Sequence, residues 1–153
     1  MYLEIERRFL VDKSKLIYPD KKKSIKQAYL MFDDSQVLRI RKIENDYLLT
    51  YKYKKSNINR LEFEYPIPND DGDKLISLSK YFIIEKERYY YQADRHLWEI
   101  DVFHGKNEGL IIAEVELDNE NEDIKIPSWV GKEISNDNKY LNFNLSINPY
   151  SLW

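Results

Sequence analysis

At 153 residues, with 42% hydrophobic and 33% charged side chains, the chain has the size and apolar content of one folded domain over residues 1–153, and a disordered segment is excluded. Its 24 basic against 27 acidic residues give a net charge of −3, which excludes the overall basic field of a nucleic-acid binder. It contains no cysteine and no apolar run near the roughly 18 residues of a membrane helix, so disulfides, thiolate chemistry and helical membrane spans are excluded too.

Taken in chain order, alternation of apolar and polar residues predicts eight strands. They are Tyr2–Val11, Ser24–Phe32, Val37–Lys42, Tyr47–Lys54, Arg60–Ile67, Ile83–Tyr91, His96–Phe103 and Leu110–Leu117. Turn chemistry separates them, as at Asp33-Asp34-Ser35, Glu44-Asn45-Asp46 and Ser56-Asn57-Ile58-Asn59. Gaps this short imply antiparallel neighbours. Between the fifth and sixth strands, Leu75, Leu78 and Phe82 stand at helical spacing after Pro68-Asn69 and predict a helix over Asp70–Phe82. Ile134, Leu141 and Leu145 predict a short helix or two between Trp129 and Leu145, and Asp118–Asp123 reads as a solvated loop. Trp98, Trp129 and Trp153 read as packing residues, and His96 and His104 as solvated strand ends. The expected class is mainly β with a few flanking helices (α+β).

Sorting the polar residues by parity reveals a second pattern. One side of the strands carries Glu4, Glu6 and Arg8; Arg39 and Arg41; Lys52 and Lys54; Arg60, Glu62 and Glu64; Lys86 and Arg88; Glu99 and Asp101; Glu114 and Glu116. Like charges two residues apart lie only about 7 Å from each other, and an ordinary wet face has no reason to repeat one sign. Closing the eight strands into an antiparallel barrel would turn these positions inward, where uncompensated charge is too costly to stay dry. Such an interior needs water, ions or a charged ligand. Carboxylates without His or Cys suit Mg2+ or Mn2+, and grouped Arg and Lys suit phosphate oxygens. A polyphosphate bridged by a divalent cation satisfies both halves. The apolar parity left outside calls for helices, and for a second copy in a homodimer, to cover it.

The ordered set of segments resembles the CYTH superfamily, the triphosphate tunnel metalloenzymes. Glu4-Ile5-Glu6-Arg7-Arg8-Phe9 resembles the N-terminal E-x-E-x-K signature of that family. Gln27-Ala28-Tyr29-Leu30, Leu38-Arg39-Ile40-Arg41, Thr50-Tyr51-Lys52, Arg60 with Glu62-Phe63-Glu64, Glu85-Lys86-Glu87-Arg88-Tyr89, Glu99-Ile100-Asp101 and Ala113-Glu114-Val115-Glu116 follow in the family's order, and Trp129 to Asn142 resembles its closing segment.

The resemblance implies an eight-stranded tunnel in which Glu4, Glu6, Asp101, Glu114 and Glu116 hold metal. Arg39, Arg41, Lys52, Arg60 and Arg88 would bind phosphate, with Lys54 on the same lumen parity, Arg8 in the place of the signature lysine and Lys139 as a further match. Glu62, Glu64 and Glu99 complete the acidic lumen. Lys86 and Tyr29 match a lysine and tyrosine associated with hydrolysis in short bacterial members. Arg8 is the departure: a guanidinium keeps the charge but is planar and larger than an ammonium. The expected function is metal-dependent hydrolysis of inorganic triphosphate to pyrophosphate and phosphate. The readings beside it are a nucleoside or thiamine triphosphatase, a class IV-type adenylate cyclase, and a non-catalytic polyphosphate-binding module. The chain begins without a basic-then-apolar leader, and the expected setting is cytoplasmic, with neither membrane nor nucleic acid as partner.

Overall fold

Residues 2–153 are described by the computed structural model, and all eight expected strands are present in it. They are β1 (Tyr2–Val11), β2 (Lys22–Phe32), β3 (Gln36–Ile43), β4 (Asp46–Lys54), β5 (Asn59–Ile67), β6 (Ile84–Ala93), β7 (His96–His104) and β8 (Ile111–Glu116). All pair antiparallel in the order β5-β4-β3-β2-β6-β7-β8-β1, and β1 returns to β5 to close an eight-stranded barrel. The closing contact pairs Glu4 with Arg60. Closure leaves the ring no free edge, and it forces one parity of every strand inward.

A ninth strand, β9 (Val130–Glu133), replaces the start of the expected Trp129–Leu145 helix. The first half of β1 is taken by β5, but Phe9 and Val11 reach beyond it and pair with Glu133 and Val130. Gly131 makes this approach possible, since a Cβ there would stand 3.1 Å from the Leu10 carbonyl oxygen. Helical content in that stretch is confined to a 3-10 turn at Asn138–Tyr140 and one turn, α2, at Asn142–Leu145. Local periodicity cannot register a sheet edge more than a hundred residues away, and here the edge prevails.

The other helix, α1 (Asn69–Ser77), stops short of the expected Phe82. The Phe82 amide donates to the Ser146 carbonyl at 2.9 Å, which draws the chain off the helical path. Leu78 and Phe82 are consequently 62% and 41% exposed, and the apolar stripe they suggested is not a buried face.

Two apolar clusters frame the barrel. Outside it, Ile5, Phe9, Ile100, Ala113 and Val115 pack with Trp98 and Trp129, whose ring centroids lie 5.5 Å apart. Leu16 and Trp129, from connecting segments, cover this face where helices were expected to do so. Inside, the inward parity ends in Leu10, Ile84, Phe103 and Ile112, which join Tyr29, Ile134 and Leu145 in a second cluster. The barrel interior is therefore charged along most of its length and apolar at the end next to α2. No helix among the described residues is long and apolar enough to cross a membrane.

Helix α1 is seated on the barrel by Gly72, where a Cβ would fall 2.2 Å from the buried Tyr47 ring, and by the Tyr47 hydroxyl, which donates to Asp73. Gly72→Ala should therefore lift α1 and destabilise the fold by about 1–3 kcal/mol in chemical denaturation, the range of an overpacked core site. Unchanged stability would mean that α1 is not packed as described.

Candidate active site

The inward parity surrounds a cavity of about 450 Å3. Strand register decides which charges meet. Lys52 lies opposite Glu62, Arg88 opposite Asp101, and Arg8 opposite Glu114. The contacts follow: Lys52 Nζ stands 2.9 Å from Glu4 and 3.2 Å from Glu62, Arg60 stands 3.3 Å from Glu6, and Arg8 Nε stands 3.3 Å from Glu114. Arg88 makes a two-pronged contact with Asp101, at 2.7 and 2.8 Å, and also reaches Glu99 at 2.9 Å. On the far wall, Thr50 donates to Glu64 at 2.9 Å.

The pairing is incomplete in both directions. Arg8 Nη1 and Arg39 Nε are buried donors with no partner among the described residues. Burial, together with the neighbouring Arg39 and Arg88, pushes the Arg41 guanidinium down to about 10. Burial likewise lowers the Lys86 ammonium to about 7, aided by Arg88 and Arg41, although Asp101 opposes it. Across the cavity, burial and the Glu114 and Glu4 carboxylates push Glu6 up to about 8. Glu4 and Glu114 are partly buried too, yet Lys52 holds Glu4 down at about 2, and Arg8 and Arg88 hold Glu114 well below the carboxylate range. One wall thus carries surplus positive charge and the other surplus negative charge. An anion against the first and a cation against the second would relieve both.

Of the residues expected at the site, Glu4, Glu6, Arg8, Tyr29, Arg39, Arg41, Lys52, Lys54, Arg60, Glu62, Glu64, Lys86, Arg88, Glu99, Glu114 and Glu116 all line the cavity. Two differ from expectation. Asp101, expected among the metal ligands, is fully buried behind the lining, with both oxygens occupied by Arg88 and Lys86. It holds two cations through three hydrogen bonds, one to Oδ1 and two to Oδ2. Lys139 is outside altogether, with its ammonium over the rings of Tyr140 and Trp153 at 5.2 and 4.6 Å. One histidine also differs from the solvated reading: His96 is buried against Glu122 at 2.8 Å, whereas His104 is partly exposed between Glu87 and Glu108.

Arg8 explains its own departure from lysine. Besides Glu114, its Nη2 donates at 2.7 Å to the Tyr140 carbonyl on the C-terminal segment, while Nη1 remains free. One ammonium could not span three such directions. Sequence reasoning missed the rest of that segment: Asn138, Leu141, Asn142, Phe143 and Asn144 line the cavity, as do Asp33 to Val37 of the β2–β3 hairpin. Only Val37, on the parity of Arg39 and Arg41, has a local pattern that turns it inward. Gln27 shares the parity of Tyr29 and was visible only as a motif neighbour.

For a divalent cation, the chemistry of the donors fits. Glu4, Glu6, Glu114 and Glu116 offer hard carboxylate oxygens from the adjacent strands β1 and β8. Among the described residues, no three such side chains are already grouped to hold an ion, because Glu4, Glu6 and Glu114 each face a basic partner.

Comparison with known proteins agrees with this geometry. Residues 2–145 match the CYTH domain. An inorganic triphosphatase of Acetivibrio thermocellus is 40% identical over 148 residues, covering 96% of this chain and 95% of its own length. An inorganic triphosphatase of Nitrosomonas europaea is 32% identical over 151 residues, covering 94% and 97%. The crystal structure of an inorganic triphosphatase superposes with a TM-score of 0.68 at 31% identity and covers 96% of both chains. With its whole barrel inside the matched region and its charged interior built from the matched strands, this chain belongs to the CYTH domain family.

Proposed function

We propose that this protein is a metal-dependent hydrolase of inorganic triphosphate, acting inside its barrel and releasing pyrophosphate and phosphate. The observation that carries the reading is the pair of unpartnered, buried guanidinium donors of Arg8 and Arg39 on the wall of the 450 Å3 cavity. Buried donors left unmade cost about 1–3 kcal/mol each, and phosphate oxygens would satisfy them. The relatives named inorganic triphosphatases support the choice of substrate.

In this reading Arg39, Arg41, Lys52, Arg60 and Arg88 line the phosphate chain with Arg8, and Lys54 adds charge to the same wall. Glu4, Glu6, Glu114 and Glu116 would hold Mg2+ or Mn2+, and the cation would supply charge neutralisation for the substrate. Water attacks the terminal phosphorus, the bond to the bridging oxygen breaks, and pyrophosphate leaves. Lys86 lies on the cavity wall with its pKa lowered to about 7, so near neutral pH it is partly the free amine, and that form receives the proton from the water. Tyr29, 2% exposed at the same wall, orients the water. Glu62 and Glu99 keep the basic Lys52 and Arg88 in place, and Glu64 accepts from Thr50 on the same lining.

The test is phosphate release from tripolyphosphate, ATP and thiamine triphosphate, each with Mg2+, Mn2+ or EDTA. Tripolyphosphate should be cleaved fastest and only with metal. Faster turnover of ATP or thiamine triphosphate would move the assignment to those substrates, and tight binding without turnover would make the protein a polyphosphate-binding module. Lys86→Ala should lower kcat by about a hundredfold or more with little change in KM, the usual contribution of general acid–base catalysis. Arg39→Ala should instead raise KM by about ten- to a hundredfold, as expected for a lost charge-assisted hydrogen bond. The assignment of these two residues fails if both variants behave like the wild type.

Glu6 gives a metal readout without catalysis. Its carboxyl titrates near 8 in the fold against an ordinary value of 4.5, so the native state holds an extra proton between these limits. Stability from this group is present below about 4.5 and is lost as pH rises through 8. In EDTA, Glu6→Gln should therefore gain melting temperature over the wild type as pH goes from 5 to 8. Mn2+ should raise the wild-type melting temperature at pH 8 more than that of the variant, because the cation takes the place of the retained proton. A pH-independent offset between the two proteins would rule out the raised Glu6.

A further inference from the structure

Behind the cavity wall lies a chain of hydrogen bonds whose polarity is set from both ends. Gln27 is fully buried on β2 and does not line the cavity. Its Oε1 accepts from Arg41 Nε at 3.0 Å. An arginine can only donate, so the amide has one possible orientation, with Nε2 turned the other way. Nε2 then donates both its protons, to the Tyr29 hydroxyl oxygen at 2.9 Å and to Asn142 Oδ1 at 2.9 Å. Asn142 Oδ1 also accepts from Lys86 Nζ at 2.8 Å, and an ammonium too can only donate. Lys86 is held from its other side by Asp101 at 2.7 Å.

The consequence falls on Tyr29. A phenol has one proton to give, and its oxygen here already accepts from Gln27. Among the described residues no acceptor for that proton stands within the wall, while the Tyr29 side chain borders the cavity. We infer that Gln27 is a positioning residue that turns the Tyr29 hydroxyl into an obligatory donor toward the cavity and, through Asn142, fixes the Lys86 ammonium beside it. One buried amide thereby sets the direction of a phosphate-contacting arginine, a phenol and an amine. Its link to turnover rests on the hydrolase reading above; the hydrogen-bond polarity does not.

Gln27→Glu reverses the polarity at one point. The new carboxylate still receives Arg41 but can only accept, so the Tyr29 proton turns inward to it and away from the cavity. With tripolyphosphate as substrate, Gln27→Glu should lower kcat by about tenfold or more and leave KM within about threefold, as for a lost proton-handling geometry. In a Tyr29→Phe background the same change should cost at least about threefold less, because only the branch through Asn142 to Lys86 is left for it to disturb. A structural defect would instead slow both backgrounds equally, and that additivity would overturn the inference.

A measurement on the wild type covers the case in which the variant does not fold. The two Gln27 side-chain amide protons, observed by NMR without substrate, should exchange with solvent about tenfold or more slowly than those of a free glutamine. Tyr29→Phe should shift one of them and Asn142→Ala the other. Free exchange, or shifts untouched by both substitutions, would sink the proposed network. Should the wild type fail to cleave tripolyphosphate while these amide signals behave as expected, the hydrolase reading falls and the polarity of the network stands.

Discussion

The cost of enclosing unbalanced charge governs this molecule. An eight-stranded antiparallel ring gives every inward position the same fate, and away from the apolar end most of those positions here are Glu, Asp, Lys and Arg. Each ion moved from water into such an interior loses several kcal/mol of hydration, which a partner must offset. Register supplies most of the partners, since Lys52 meets Glu62 and Arg88 meets Asp101 directly across adjacent strands. What remains unmatched is the functional residue of that balance: free donors on Arg8 and Arg39, and a carboxyl on Glu6 that keeps its proton.

The same balance separates supporting from contacting groups. Asp101 is spent on Arg88 and Lys86, and its depressed titration to about 2 arises because those two cations outweigh its burial. Glu6 shows the opposite outcome, with burial reinforced by Glu114 and Glu4 and only partly opposed by Lys52 and Arg60. Two carboxylates of one barrel thus titrate far apart because one lies among cations and the other among anions.

The C-terminal segment finishes what the barrel begins. Arg8 reaches its Tyr140 carbonyl, Lys86 and Gln27 reach Asn142, and Leu145 completes the apolar end of the interior. The segment is tethered to β1 by β9, where the absence of a side chain at Gly131 admits the Leu10 backbone. A lysine in the place of Arg8 would lose the bridge between the Glu114 wall and this segment.

Much of this was legible in the linear chain, and the reason is geometric. Strand side chains alternate with a period of two, so the repeated charges of β1, β3, β6 and β8 announced a common face, and all eight strands lie where alternation put them. Parity is a local property and needs no knowledge of the fold. What tertiary structure alone decided is which charge meets which, because register across strands depends on closure: it spent Asp101 on two cations, left Arg8 and Arg39 with free donors, and carried Lys139 outside. It also turned residues 130–133 into an edge strand and brought Asn142 against Gln27 and Lys86, contacts that span more than fifty residues of chain. Local pattern carries the face a side chain takes, whereas its partner is set by the path of the whole backbone.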